Sequence, residues 1–579
     1  MLKAQEKQGL LPGPAQPVSR SSSTRLVLLF AVALLALLHL PRTFFLAPER
    51  PATLERTLCQ QADSLAPGTN DRLDSHRALV FGDKYRNSSA AILGGLVRVK
   101  SESFDGEKDD DPRWDAFYDI ANYLRRTFPL VYKHLTLEEV NTHGLLYTFA
   151  GSDTSLKPII LMAHTDTVLV NPDTLDQWSF EPWSGYFDGE YLWGRGATDC
   201  KNLVSGILEA VTLLLEGGFK PRRTVLISFG FDEESRGWGG AGELAKVIEQ
   251  RYGKDGVAFL VDEGGMGVAE SAYGFPIALP AMTEKGYLNA NFTLHTAGGH
   301  SSVPPAHSGI GIISTLVSAL EAHPFTPSLP LWSPTFSVLQ CAATHGNLSS
   351  SLKRNVERGN ADSRDGDRAR QQLAEDYAKL GAFERFTVQT SQAVDIVHGG
   401  VKVNALPELV NLVVNYRVDI SSSTEEVKEH IRQVVKPVAE QYGLEVNAFG
   451  ETYSPSSGAT SGGKLDVVAT VEHPAAPLSP TVDNPVWDVF AGTIKHVFQS
   501  RFGDEKENPL VVSPSLMLGN TDVRWYTNVT QNRYRFSPVN RGKSFGQHTV
   551  DERLWFEDHL AAVWWYHELI RNADEAGFA

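Results

Sequence analysis

The sequence predicts an α/β chain of two domains, one built on a mostly parallel sheet and the other an α+β layer inserted into it. Three observations lead there. At 579 residues the chain is longer than one hydrophobic core usually serves. Short apolar runs bounded by polar residues alternate with a helical pattern, as in crossover-linked parallel strands. A later stretch changes to strict apolar–polar alternation, as strands with one exposed face do.

The elements follow in chain order. Residues 1–24 are rich in Ser, Pro, Gln and Gly without an apolar period, so a disordered tail is expected. Leu26 to Leu40 is apolar except for His39. Fifteen helical residues span only about 22 Å, and continuing through Phe44, Phe45, Leu46 and Ala47 gives a marginal membrane span. Lys3, Lys7, Arg20 and Arg25 precede it, which places the tail in the cytoplasm and the body in a lumen. A cleaved signal peptide is the rival, disfavoured by the long leading region and the lack of a small-residue cleavage site. Residues 25–47 are therefore expected to be a single-pass anchor, and residues 48–110 a loose lead-in with acidic Asp109, Asp110 and Asp111.

Lys157 to Ala163 reads as a buried strand running into His164. Val204, Ile207, Leu208, Val211, Leu214 and Leu215 form a helical stripe, stopped by Gly217 and Gly218. Arg223 to Phe231 is a second strand, ending at Asp232, Glu233 and Glu234, and Val257 to Val261 a third, ending at Asp262. Gly286 to His295 alternates, and a helix follows near Ile312 to Leu320. Residues Asn347 to Ala382 are polar and are expected to form an extra loop and helix. Leu409 to Val418 alternates again. Ser423 and Glu426 then form a capping box for a helix striped by Val427, Ile431, Val434 and Val438, with Pro437 a kink near its end. Leu444 to Phe449 is a strand, and the last helix, around Trp555 to Ile570, is expected to be amphipathic. The boundaries expected are 111–284 with 480–579 for one domain, and 285–479 for the other.

A net charge of −16 argues against nucleic acid as a partner. Four sequons, at Asn87, Asn291, Asn347 and Asn528, agree with a lumenal body. Three cysteines make no disulfide framework; Cys200 is expected to be reduced, and a Cys59–Cys341 pair is one option.

The chemistry gathers where strands end. His164, Asp199, Glu234, Asp262 and His548 are ligand types that suit two adjacent divalent ions. Asp199 can bridge the ions with its two oxygens, His164 and Asp262 serving one and Glu234 and His548 the other. Glu233 is then placed to carry water's proton to the leaving amine. Asp166, two residues after His164, can hold the other imidazole nitrogen. Singly, each has a bland reading: HxD pairs occur in loops, paired glutamates are usually solvated, and Asp199 could merely cap a helix. Their coincidence at several strand ends points to metal-dependent hydrolysis of an amide.

The motifs HTD, GRGATDCKN, DEES, LVDEGG, TAGGHSS and HTVDER occur in this order over about residues 110 to 575. In them the chain resembles the M20 family of zinc exopeptidases and aminoacylases, most of all its carboxypeptidase S-like (Gly-X carboxypeptidase) branch of fungal vacuoles. The resemblance implies a two-zinc catalytic domain and an inserted ferredoxin-like lid. It also implies the five ligands above, Glu233 as proton acceptor, Asp166 in support, and a non-proline cis peptide after Asp199. In some members the ligand is the glutamate of the DEG triplet, here Glu263; Asp262 is the expectation because the branch most resembled uses the aspartate. His300 matches a lid histidine that helps hold the developing oxyanion, and Asn404 and Arg417 match lid positions that contact substrate. A helix-start histidine and a surface ion pair are the structural alternatives for His300 and Arg417. Asp522 and Arg524, in GNTDVRWY, lie on a family loop near the site and receive no role. The implied activity is release of the C-terminal residue from short peptides bearing a free carboxylate, in a vacuolar lumen; N-acyl amino acids are the alternative substrates. A homodimer is a further expectation.

Overall fold

The computed structural model describes residues 58–104, 111–456, 462–540 and 542–578. The expected tail, the expected anchor and the lead-in up to residue 57 lie outside them, as do Asp109 and Asp110. Among the described residues no helix is long and apolar enough to cross a membrane.

The first sheet has eight strands in the order Thr136–Val140, Gly144–Phe149, Val225–Gly230, Ile159–His164, Phe259–Asp262, Arg533–Arg535, Ala281–Glu284 and Ser515–Met517. It is mixed with a parallel centre: Ile159–His164 runs parallel to both of its neighbours, and Phe259–Asp262 parallel to Arg533–Arg535. The three apolar runs form three adjacent strands, buried along their whole length, as runs covered on both faces should be. Helix Lys201–Glu216 makes the crossover between the first two; Gly218, at φ +80°, lets the chain turn away from it.

The second sheet has six strands, in the order Ser391–Gly399, Leu409–Val418, Gly286–His295, Gly463–His473, Leu444–Ala448 and Glu451–Tyr453. Strands Gly286–His295 and Leu409–Val418 pair antiparallel over ten residues, and their alternation is the burial pattern seen. Their apolar face packs on helices Gly309–Ala322 and Thr424–Tyr442. The capping box at Ser423 and Glu426 is made, and the helix continues past Pro437 to Tyr442. The long returning strand Gly463–His473 lies between Gly286–His295, to which it is antiparallel, and Leu444–Ala448, to which it is parallel, in this ferredoxin-like layer. The chain passes from the first sheet to the second at Lys285. It returns through residues 474–480, which lie alongside: Ala476 N donates to Glu284 O and Ser479 N to Met282 O, each at 3.0 Å.

Three expectations are corrected. The lead-in is not loose. It forms helices Asp71–Asp74, His76–Val80 and Asp83–Val97, and Leu93, Leu96 and Val97 are fully buried in the main core. Gly94 and Gly95 look like helix breakers but are close-approach positions: a Cβ on Gly94 would sit 2.5 Å from Gly185 O, and one on Gly95 2.0 Å from the Tyr123 hydroxyl. The polar insert forms helices Ser350–Gly359 and Arg364–Tyr377 between Pro334–His345 and Ala382–Phe386, around a small core of its own. The terminal helix, Phe556–Glu575, is buried on every side rather than amphipathic. Several of its polar residues are paired, His559 Nε2 lying 3.0 Å from Glu209 Oε1 and Arg571 Nη1 2.9 Å from Glu568 Oε1, while Trp565 Nε1 and Tyr566 Oη are buried without a hydrogen-bond partner.

Cys59 and Cys341 form a disulfide, and Cys200 is free and buried.

Candidate active site

Three strand ends and two loops converge at the carboxyl edge of the first sheet, where ligands of open parallel sheets collect. His164 ends its strand. Glu233 and Glu234 follow Gly230, and Asp262 and Glu263 end the third strand. Asp199 precedes helix Lys201–Glu216, joined to Cys200 by a cis peptide. His548 comes from a loop after Arg533–Arg535, at φ +60°, a left-handed conformation uncommon for histidine.

Asp199 stands between the two histidines. Its Oδ1 is 3.1 Å from His164 Nε2, and its Oδ2 is 2.8 Å from His548 Nε2. His548 Nε2 is also 3.2 Å from Glu234 Oε1. His164 Nε2 is 3.3 Å from Glu263 Oε1. Two groups of candidate ligand atoms result, each within 4.8 Å: His164, Asp199, Cys200 and Glu263, and Asp199, Glu234 and His548. No hydrogen bond or ion pair joins Asp262 to His164, and its Oδ2 is buried with no hydrogen-bond partner. Glu263, the alternative within the same DEG triplet, is the carboxylate placed against the imidazole, while Asp262 keeps a buried, unpartnered oxygen and senses the charge of His164. Successive side chains at a strand end point to opposite sides, and here the glutamate faces the imidazole. Cys200 is in the first group by position, but its sulfur accepts from His164 N at 3.2 Å, and burial pushes its thiol well up, which keeps it neutral.

Asp166 holds the far side of His164, with Oδ1 3.1 Å from Nδ1. It is itself fixed by Ser103 Oγ at 2.6 Å and by the backbone N–H groups of Glu233 and Glu234 at 3.2 and 3.0 Å. One carboxylate therefore orients an imidazole and the segment carrying both glutamates. A second organiser escaped the sequence reading. Glu552, fully buried, accepts from Arg195 Nη1 (2.7 Å), Gly196 N (3.0 Å) and Thr198 N and Oγ1 (both 2.8 Å), fixing the loop that presents Asp199. Its signal was present: Glu552 is in HTVDER and its partners in GRGATD. Gln547 Nε2 also donates to Asp199 Oδ2, at 2.6 Å.

The electrostatics are those of crowded carboxylates. Burial, then the charge of Asp199, raises Glu234 to about 7 and Glu263 to about 8. Burial also raises Glu233 well above the usual range; His164 opposes it, and the carboxyls of Glu263, Asp522 and Glu234 add to it. Against the same upward push of burial, hydrogen bonds from His164 and His548 hold Asp199 well below its ordinary value. Hydrogen bonds to Asp199 and Glu234 lift His548 to about 10. Imidazole nitrogens and carboxylate oxygens aimed at two common points, one carboxylate shared, fit two divalent cations by donor type and by charge.

The inserted layer is divided. His300 and Asn404 lie on an exposed two-stranded patch, Ser301 N donating to Asn404 O at 3.3 Å, and no hydrogen bond or ion pair joins them to the ligand groups. Arg417 is half-buried and reaches the first domain, its Nη1 donating to Asn520 Oδ1 at 2.9 Å. Of the sequon asparagines, Asn87, Asn347 and Asn528 are exposed, whereas Asn291 lies within a central strand of the six-stranded sheet.

Comparison with known proteins places this geometry. Residues 160–572 match the model of peptidase family M20/M25/M40. Carboxypeptidase S of Saccharomyces cerevisiae is 39% identical over 524 residues, 89% of each chain. N-fatty-acyl-amino acid synthase/hydrolase of Mus musculus is 30% identical over 507 residues, 85% of this chain and 89% of that one. Human carnosine dipeptidase 1 has the same fold, with a TM-score of 0.61 at 13% identity, covering 88% of this chain and all of that one.

Proposed function

The chain belongs to peptidase family M20/M25/M40, and from that premise we propose that it is a two-zinc carboxypeptidase releasing the C-terminal residue of short peptides. The observation that carries the proposal is Asp199 standing between two histidines that each face a further carboxylate. His164, Glu263 and Asp199 would hold one ion, and Asp199, Glu234 and His548 the other. Bound zinc would supply Lewis acidity to the scissile carbonyl and to the attacking water.

The protein's own residues do the rest. Glu233 takes a proton from the attacking water and delivers it to the leaving nitrogen, which needs a carboxyl poised near working pH rather than near 4. Asp166 fixes the His164 ring, and Glu552 fixes the turn bearing Asp199. We further propose a lysosome-like lumen as the location, with residues 25–47 as anchor and the tail in the cytoplasm. Support comes from the apolar run, the exposed sequon asparagines and the Cys59–Cys341 disulfide, which belongs to an oxidising compartment. Zinc, glycosylation and a homodimer are parts of the same proposal.

The test is hydrolysis of N-blocked Gly-Leu by the full-length protein before chelation, after it, and after zinc return, with Glu233→Gln alongside. Activity that the chelator removes, zinc restores and Glu233→Gln lacks is expected. An inert zinc-replete protein refutes the peptide reading. A second reading is favoured by the mouse relative: hydrolysis or synthesis of N-acyl amino acids at the same site. Those substrates share the amide and the free carboxylate, so a long-chain N-acyl amino acid assayed beside the dipeptide separates the two.

A further inference from the structure

A cavity of about 490 Å³ beside the catalytic segment is left unused by the chemistry above. It lies between the turn that precedes Gly144–Phe149, the start of helix Asp115–Thr127 and the residues that follow strand Val225–Gly230. Its walls are rings: Phe104, Trp114, Tyr118, His143, Phe231 and Trp238. Phe231 packs edge-on against Trp114 and His143 at 5.3 and 5.4 Å, and Tyr118 against His143 at 4.7 Å. Two of its carboxylates are already engaged. Asp111 pairs with Arg113 at 2.7 Å, and Asp232 accepts from the N–H groups of Gly239 and Gly240 at 2.9 and 2.8 Å. Asp115 and Arg236 stand at the exposed rim. What the interior offers a ligand is therefore aromatic surface.

Trp238 stands apart from the other rings. It is 47% exposed, yet its backbone is pinned. Asn141 Nδ2 donates to Gly239 O at 3.0 Å, and a Cβ on Gly240 would sit 2.7 Å from Asp232 Oδ1. Gly237, at φ +70°, leaves no room for a side chain beside Asp522. A large ring held open on a fixed backbone loses little freedom when a ligand covers it. The cavity is also continuous with the catalytic residues. Phe104 follows Ser103, which holds Asp166, while Asp232 precedes Glu233 and Ser235 follows Glu234. Strand Gly144–Phe149 is two strands from Ile159–His164, which puts the cavity about 10 Å from His164. When one amino acid leaves, the leaving side of the scissile amide ends within a single residue. The acyl side continues, and at about 3.4 Å per extended residue its second or third residue reaches that far.

We propose that this cavity binds the acyl side of the substrate at a distance from the scissile amide, taking an extended apolar group against Trp238 and Tyr118. The site presupposes the hydrolysis proposed above. The chemistry it recognises has two sources, a large apolar side chain two or three residues before the scissile bond of a peptide, or the aliphatic chain of an N-acyl amino acid. Binding there adds affinity for long substrates and leaves the proton transfers at Glu233 as they are.

The experiment measures preference for long over short substrates in the full-length, zinc-replete protein. One pair is N-acetyl-Phe-Gly-Leu against N-acetyl-Gly-Gly-Leu, the other N-oleoyl-leucine against N-acetyl-leucine. The wild type is expected to favour the long member of at least one pair in kcat/KM. Trp238→Ala should lower that preference about 10-fold, through KM of the long substrate rather than kcat. Trp238→Phe keeps a ring and should retain part of it. Tyr118→Ala, on the opposite wall, should lower it too, and serves if the Trp238 variants do not fold. Loss confined to the peptide pair identifies a side chain as the occupant, and loss confined to the acyl pair an aliphatic chain. No preference in the wild type, or a preference that survives both alanine variants, overturns the proposal. A wild type that cleaves none of the four would defeat the hydrolase reading instead. Calorimetry of the acyl products N-acetyl-Phe-Gly and decanoate, with wild type and Trp238→Ala, then decides the role of the cavity: weaker binding to the variant upholds it, and equal binding refutes it.

Discussion

Asp199 gives one oxygen to each half of the site, so the residues flanking it are best tested by metal content rather than by rate alone. Glu263→Gln is expected to cost one of two bound ions and to lower activity roughly a hundredfold or more, whereas Asp262→Asn keeps both ions. Metal analysis of the two purified variants checks this, and the opposite pattern would return the ligand role to Asp262. Glu552→Gln keeps the shape of the side chain but removes the charge that gathers Arg195, Gly196 and Thr198. Zinc affinity, read by competition with a chromogenic chelator, should fall about 10- to 100-fold. Most of the candidate site was legible because each ligand type follows its own apolar strand. The choice between Asp262 and Glu263 was not, since it depends on which way the strand's last side chain faces. Glu552 was missed because a buried glutamate that holds backbone amides looks in sequence like any surface acid.

At the scale of elements, continuous apolar runs, alternating strands and the Ser423 capping box were readable because each rests on neighbours within a few residues. The Gly94–Gly95 helix and the wholly buried terminal helix were not, because what permits them is distant in sequence: Gly185 and Tyr123 for the one, and Leu65, Gly68, Glu209 and Thr493 for polar groups of the other. The lead-in helices meet the terminal helix through a histidine pair, His76 Nδ1 lying 3.2 Å from His567 Nε2. Around it stand Arg72, Asp74, His496, Glu568 and Arg571. Burial chiefly, then His567, lowers His76 to about 4. The folded state therefore resists a proton that the unfolded chain takes up near pH 6.5, and stability falls as pH drops from about 6.5 towards 4. Glu568, held at about 2 by its hydrogen bonds to His496 and His567 and by Arg571 against the push of burial, adds its own loss only below about pH 4.5. Urea unfolding at pH 7 and pH 5 should show about 1–2 kcal/mol of loss attributable to His76. His76→Gln should flatten that difference.

At the scale of the molecule, the disulfide joins Cys59 to helix Pro334–His345, across 282 residues of sequence. Cys59→Ser should destabilise the protein by about 2–4 kcal/mol, read as a lower urea midpoint, while leaving zinc content intact. The two sheets are joined differently. Lys285 leads out and residues 474–480 lead back, and backbone hydrogen bonds tie the two passages together at Glu284 and Met282. Two tethers laced side by side behave like the pins of a door: they yield to swinging about the line through both and resist twisting out of it. Arg417 sits next to this line, paired in the sheet with Tyr287. Any swing of the six-stranded layer therefore moves that guanidinium through only a short arc, while the exposed tip carrying His300 sweeps a long one. Groups near the pivot keep their place against the first sheet, and the far tip decides how wide the door must open.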